Sequence, residues 1–244
     1  MVNYYKADFE YWNKHFIKNT QNRIEPEWQM PMNLSPKILK YLVPSLEQFQ
    51  LGDGGGPASL IAWNAESFRN HSPQMKHLVD ERFREEKEHS RLLGKSLDRF
   101  GGTPIKTHWS FEIFCFLRKI LGVRMELIIL LCTEITSTIY YRLLHKYTPD
   151  KPFKDMCLLI LRDEADHINF HRNRLALAGK DGVSRYGFLY KSFMRFCTIA
   201  AGTVLWSSHG KTLRVLGATT KEFYRGINLE LDQFLTKLEN EIDL

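Results

Sequence analysis

Two Glu-x-x-His pairs, Glu86/His89 and Glu164/His167, are the residues of this chain whose types and spacing could do chemistry. On a helix, residues three apart share a face. Each pair can therefore give one carboxylate and one imidazole to the same cation. Imidazole suits borderline metals such as iron, and carboxylates stay ionised and can bridge two ions. An acid precedes each pair, Glu85 in one case and Asp163 in the other. A metal-bound imidazole usually donates its second ring N–H to a carboxylate. Asp163 is thus expected to orient His89 from across a helical bundle, and Glu85 to orient His167. His171, one turn past His167, is expected as an outer neighbour of the cluster, although an ordinary polar contact is the commoner role.

Such pairs also arise by chance, so the elements that carry them decide the matter. Ser72 is a good N-cap with Pro73 at the first helical position, and the charged stretch that follows stops at Gly101-Gly102. That predicts one long helix for Glu86/His89. A second is predicted from about Val123 to Lys146 and a third from about Phe153 to Leu177, joined by the turn YTPDKP. Glu134 and Glu164 are equidistant from Pro149 in that turn. In an antiparallel hairpin they stand at the same height. Glu134 is a lone acid in LIILLCTEITSTIYY, where an unpaired buried carboxylate is costly. Glu134, Glu164 and His167 are expected to meet at mid-bundle.

The first hairpin is less complete. A helical pattern from near Pro57 runs through PASLIAWNAESFRN to a break at 71–73. A turn centred near residue 72 puts the partner of Glu86 near residue 58, inside GDGGGPAS, which has no Glu. Asp53 is the better candidate, because the glycine run lets the backbone bend to deliver it. Glu66 lies farther off. Residues 101–121 can carry the chain back along the whole bundle as one long crossover. Two more helices are predicted, roughly 184–206 and 219–240. Residues 1–45, with Pro26, Pro31, Pro36 and Pro44, read as an arm with short helices, anchored by Trp12 and Trp28. The expected fold is all-α and a single domain: an arm over 1–50, a bundle over 51–180 and C-terminal helices over 181–244.

Composition excludes several classes. The formal charge of +6 is spread among interleaved acids and bases, and no nucleic-acid module is present. The four cysteines are far apart and form no C-x-x-C, which fits a reducing compartment. The start, MVNYYKADFEYW, has no apolar signal region, and the longest apolar stretch, Leu127 to Thr133, is short of a membrane span. A cytoplasmic protein is expected.

On Glu86-Lys-Glu-His89, Glu134 and Asp163-Glu164-Ala-Asp-His167, the chain from about 50 to 178 resembles the ferritin-like di-iron carboxylate superfamily. It is similar to the oxygenase branch, such as aldehyde-deformylating oxygenases and demethoxyubiquinone hydroxylases, more than to ferritins. The resemblance implies a ferritin-like four-helix bundle with the long crossover between its second and third helices. It implies two iron ions, one position being open to manganese. By resemblance Glu86 and Glu164 bridge, His89 and His167 are terminal, and Glu134 is terminal beside His167. The family's first-helix Glu falls near Gly56, so Asp53 would have to stand in. The implied partners are O2, an electron donor and a small apolar or amphipathic organic substrate, in a cavity lined by Leu127, Ile128, Leu131, Trp63 and the fifth helix. A homodimer is compatible, since such bundles often pair along helix faces. The reading from another class is a metal-binding or structural module with an incomplete, non-catalytic site.

Overall fold

The computed structural model describes residues 7–21, 23–55, 59–180 and 186–243. Gly56 lies outside them. Among the described residues the regular elements are all helical: α1 (Phe9–Gln21), α2 (Pro36–Gln50), α3 (Ala65–Arg69), α4 (Pro73–Phe100), α5 (Trp109–Ile120), α6 (Val123–Tyr147), α7 (Lys151–Lys180), α8 (Phe188–Leu216) and α9 (Thr220–Asp243). A π turn, Leu51–Gly55, extends α2.

Capping sets the ends that matter. The Ser72 side chain accepts from Met75 N, Pro73 opens α4, and Gly101 closes it in the left-handed conformation at φ 75°. Ser35 does the same for α2, accepting from Ile38 N ahead of Pro36. At the start of α7, Asp150 takes Phe153 N at 3.2 Å and an Arg99 bond at 2.7 Å. The four prolines of residues 1–45 suggest an arm with short helices, but Ser35-Pro36 is an ordinary helix start and α2 runs on for 15 residues through Pro44.

Apolar packing fixes the directions. Leu78, Val79 and Phe83 of α4 share a cluster with Val123, Leu127 and Leu130 of α6. Farther on, Leu92, Leu93 and Leu97 share another with Ile139, Tyr140 and Leu144. Heights rise together, so α4 and α6 run the same way. Phe170 of α7 sits with the first cluster and Phe153 and Ile160 with the second, so α7 runs the opposite way. Helix α2 also opposes α4: Leu42 and Leu46 lie among Leu92–Leu97, and Gln50 meets Ser90 at 2.9 Å. The parallel pair α4 and α6 requires a return path, which residues 101–122 and α5 provide. Helices α8 and α9 cover α6 and α7 through a third cluster that includes Leu131, Ile135, Met194 and Leu231. Each fully buried leucine in these clusters contributes about 2 kcal/mol.

One sequence expectation fails here. The helix expected from Pro57 shrinks to Ala65–Arg69. The reason is a buried carboxylate: Glu126 accepts from Ile61 N at 2.8 Å and Ala62 N at 3.0 Å, while Arg118 donates to Ser59 O at 2.7 Å. Those backbone groups are committed to α5 and α6 instead of to helical partners. Helix α6 has the length and a mean hydropathy of 1.4 that would suffice to cross a membrane. It is mostly buried inside the bundle, as a core helix would be.

Candidate metal centre

Helices α4, α6 and α7 and the π turn after α2 converge at mid-bundle. Asp53, Glu86, His89 and Glu164 each turn one ligand atom into a space where all these atoms lie within 4.8 Å of one another. Glu86, Glu134 and His167 form a second such group, sharing Glu86. The structure thus brings together Asp53, Glu86, His89, Glu134, Glu164 and His167 in one contiguous cluster.

Its geometry is nearly two-fold. His89 Nδ1 is 3.5 Å from Glu86 Oε2 and 3.7 Å from Glu164 Oε1. His167 Nδ1 is 3.5 Å from Glu86 Oε1 and 3.9 Å from Glu164 Oε2. Each glutamate therefore shows one oxygen to each imidazole. Asp53 Oδ2 lies 4.0 Å from His89 Nδ1. Neither Nδ1 has a hydrogen-bond partner, although both rings are fully buried. Buried polar atoms are nearly always satisfied. Two that are not, aimed at four carboxylate oxygens, fit a cation between them.

The far nitrogens are held from behind. His89 Nε2 lies 3.1 Å from Asp163 Oδ2, and His167 Nε2 lies 2.9 Å from Glu85 Oε2. A carboxylate accepts only, so each Nε2 carries the proton. In the neutral ring this leaves the Nδ1 lone pair free toward the cluster. Arg23, just before the Pro-rich segment, bonds Asp163 and stands 3.9 Å from Glu85. His171 Nδ1 accepts from Arg174 Nη2 at 2.8 Å and Nε at 3.0 Å. Its proton is therefore on Nε2, which faces Glu134 Oε1 at 3.4 Å. Nε2 makes no hydrogen bond there, so His171 borders the cluster with that nitrogen unpartnered.

Glycine delivers Asp53. Gly54 has φ 107°, and a Cβ there would stand 2.5 Å from the backbone oxygen of Glu86. Only a glycine lets the π turn press on α4. The Tyr141 hydroxyl donates to Asp53 Oδ2 at 2.6 Å.

The charges strain against one another without a metal. Burial and the neighbouring Glu86 push Asp53 up to about 7. Burial works against the charge of Glu86, but Arg82 and both imidazoles outweigh it and hold that carboxyl well below its usual range. Burial and Arg82 oppose a charge on His167, yet the nearby Glu164 carboxylate and the bond to Glu85 raise it to about 9. His89 is raised well above its ordinary value, Asp163 and Glu86 overcoming burial. His171 is pushed far down by burial and Arg174. Only a proton on each imidazole, or a bound cation, reconciles the clustered acids.

One residue in the centre escaped the sequence reading. Arg82 is buried, donates from Nη2 to Glu134 Oε1, and places Nη1 3.1 Å from Glu86 Oε1. It was hidden in a charged run that reads as solvated surface. Its signal was its spacing, one turn before Glu86 on the same face. Arg23 carried no signal at all, since only the fold brings it to Asp163.

The expected cavity lining does not hold together. Leu127 borders a small apolar void, with Leu78, Val79, Leu130, Phe170 and Arg82. Ile128 and Leu131 face α8 and α9 instead. Trp63 is 77% exposed, because residues 59–64 are pinned to Glu126 and do not continue as a helix.

No family model, curated protein or solved structure matches the chain, so the assignment rests on these residues and their geometry.

Proposed function

We propose that the chain is a ferritin-like carboxylate protein that binds redox-active metal, iron first and manganese second, and uses it in an oxidase or oxygenase reaction with O2. The observation that supports this most is the split presentation of Glu86 and Glu164, one oxygen to His89 and one to His167, with both Nδ1 atoms otherwise unpartnered. A zinc structural site would close on four ligands from loops and thiols. Here the donors are mostly carboxylates on rigid helices, the set that suits harder, redox-active ions.

Bound in reduced form, iron would supply the electrons that O2 reduction requires. The protein does the rest. Asp163 and Glu85 keep protons on the outer imidazole nitrogens. Tyr141 holds a proton against Asp53. The void of about 10 Å³ beside Arg82 is apolar and has room for about one water-sized molecule. Apolar voids stay dry, and a small apolar gas is their natural guest. A reductant from outside would restore the metal, and the expected cytoplasmic setting would supply one.

That void is far too small for an organic substrate. It favours the second reading, a metal-binding module without turnover of an organic molecule. Anaerobic ferrous loading followed by exposure to O2 separates them. The oxidase reading expects bound iron and O2 uptake that His89→Ala removes. Bound iron with no uptake above that variant leaves the module. No bound iron sinks both.

A further inference from the structure

The two halves of the centre are not equally free to take a metal. On the His89 side, Asp53, Glu86 and Glu164 face the imidazole, and the Glu86 oxygen turned to it, Oε2, is not the one that Arg82 approaches. Arg23 stands behind, bonded to Asp163. On the His167 side, Arg82 bonds Glu134 Oε1 and approaches Glu86 Oε1 at 3.1 Å. That same Glu86 oxygen faces His167 Nδ1 at 3.5 Å. Two of the oxygens that would hold an ion with His167, Glu86 Oε1 and Glu134 Oε1, are thus already shared with a positive charge, which leaves Glu134 Oε2 and Glu164 Oε2. A guanidinium does not deprotonate in a protein. Nor is it loosely placed. Arg82 is 4% exposed, its guanidinium carbon lies 5.1 Å from the Phe83 ring centre, and the void beside it measures only about 10 Å³. The guanidinium has nowhere to retreat unless the helices part.

We infer that Arg82 is a resident counter-ion occupying the second metal position, so that the centre takes one divalent ion, on the His89 side, and admits a second only when the guanidinium is removed. This rests on the metal-binding reading above. It reverses the expectation drawn from sequence, in which the weak half was the one beside His89.

The test is metal stoichiometry of the full chain after anaerobic loading with Mn(II) alone, by elemental analysis and electron paramagnetic resonance. The wild-type protein should hold about one ion per chain with the spectrum of an isolated Mn(II). Arg82→Gln should hold about two, with an exchange-coupled spectrum. Arg82→Lys keeps the charge and should stay at one, which a merely structural role for Arg82 would not predict. Two ions in the wild type, or one in a folded Arg82→Gln, would overturn the inference while leaving metal binding intact. Should Arg82→Gln fail to fold, the wild-type count and spectrum still decide. No ion in any variant would bring down the metal-binding reading, and this inference with it.

Discussion

Two carboxylates of α6, Glu126 and Glu134, are both withdrawn from water about two turns apart, and they end in opposite circumstances. Glu126 receives Ile61 N, Ala62 N and Arg118, and neither it nor Arg118 is among the residues with an unpartnered buried atom. It is a closed knot that ties residues 59–64 and α5 to the start of α6. Glu134 receives Arg82 on one oxygen and leaves the other without a hydrogen bond. Around it, three imidazole nitrogens, on His89, His167 and His171, and a Glu164 oxygen are also unpartnered. Burying charge is therefore not the mark of function here. The mark is burying charge and leaving its ligand atoms unspent.

The sharpest way to break that contrast is His89→Ala. It removes the only imidazole of the four-donor group and should weaken metal binding by a factor of a thousand or so (about 4 kcal/mol), read by isothermal titration with Mn(II). Affinity unchanged within a few-fold would mean the open cluster is only structural. The mirror experiment is Arg118→Met. Truncating one partner of a buried pair costs about 3–5 kcal/mol. Urea unfolding should show that loss while metal content stays at the wild-type value, and a change in metal content would blur the division between the two regions.

A pH series probes the open cluster alone. His167 is raised from 6.5 to about 9, so its contribution to the metal-free fold is complete below about pH 6.5 and is lost as pH rises through 9. Asp53, raised from 3.8 to about 7, also favours its protonated form and loses stability as pH climbs through 7. Glu86, held low, opposes only in acid. The metal-free protein should be less stable at pH 9.5 than at pH 6, by about 3 kcal/mol from His167 and about 1 kcal/mol more from Asp53. The loaded protein should lack most of that loss. Equal unfolding curves at the two pH values would contradict the charge assignment.

A smaller effect is expected from Asp163→Asn. It removes the carboxylate behind His89 and keeps the shape. Affinity should fall by about 10-fold to 100-fold, the usual cost of an outer partner of a metal-bound histidine. Glu85→Gln, behind the contested His167, should cost less. The reverse ranking would say that the His167 half is the one that carries the metal.

Much of this was legible in the sequence. Helices α4, α6 and α7 announce themselves through caps, periodicity and one turn, and the equal spacing of Glu134 and Glu164 about Pro149 follows from helix geometry alone. Local rules failed at the first hairpin. The Pro57 segment has a helical pattern, but its N–H groups are taken by a carboxylate 64 and 65 residues away. Helix α2 was obscured by the four prolines of residues 1–45; the one in its interior, Pro44, removes one backbone bond but does not stop a helix packed on α4 and α8.

What the sequence determined by itself is the set of donors and their height along the helices, because i,i+3 spacing and turn position are properties of the chain. What only the tertiary structure decided is which cations share the cluster. Arg82 reaches Glu134 over 52 positions, and Arg23 reaches Asp163 over 140. A guanidinium on a long side chain reads as surface in any local pattern. Where it ends up depends on which helices close around it, and here that choice separates a half-site with free donor atoms from one that already holds a charge.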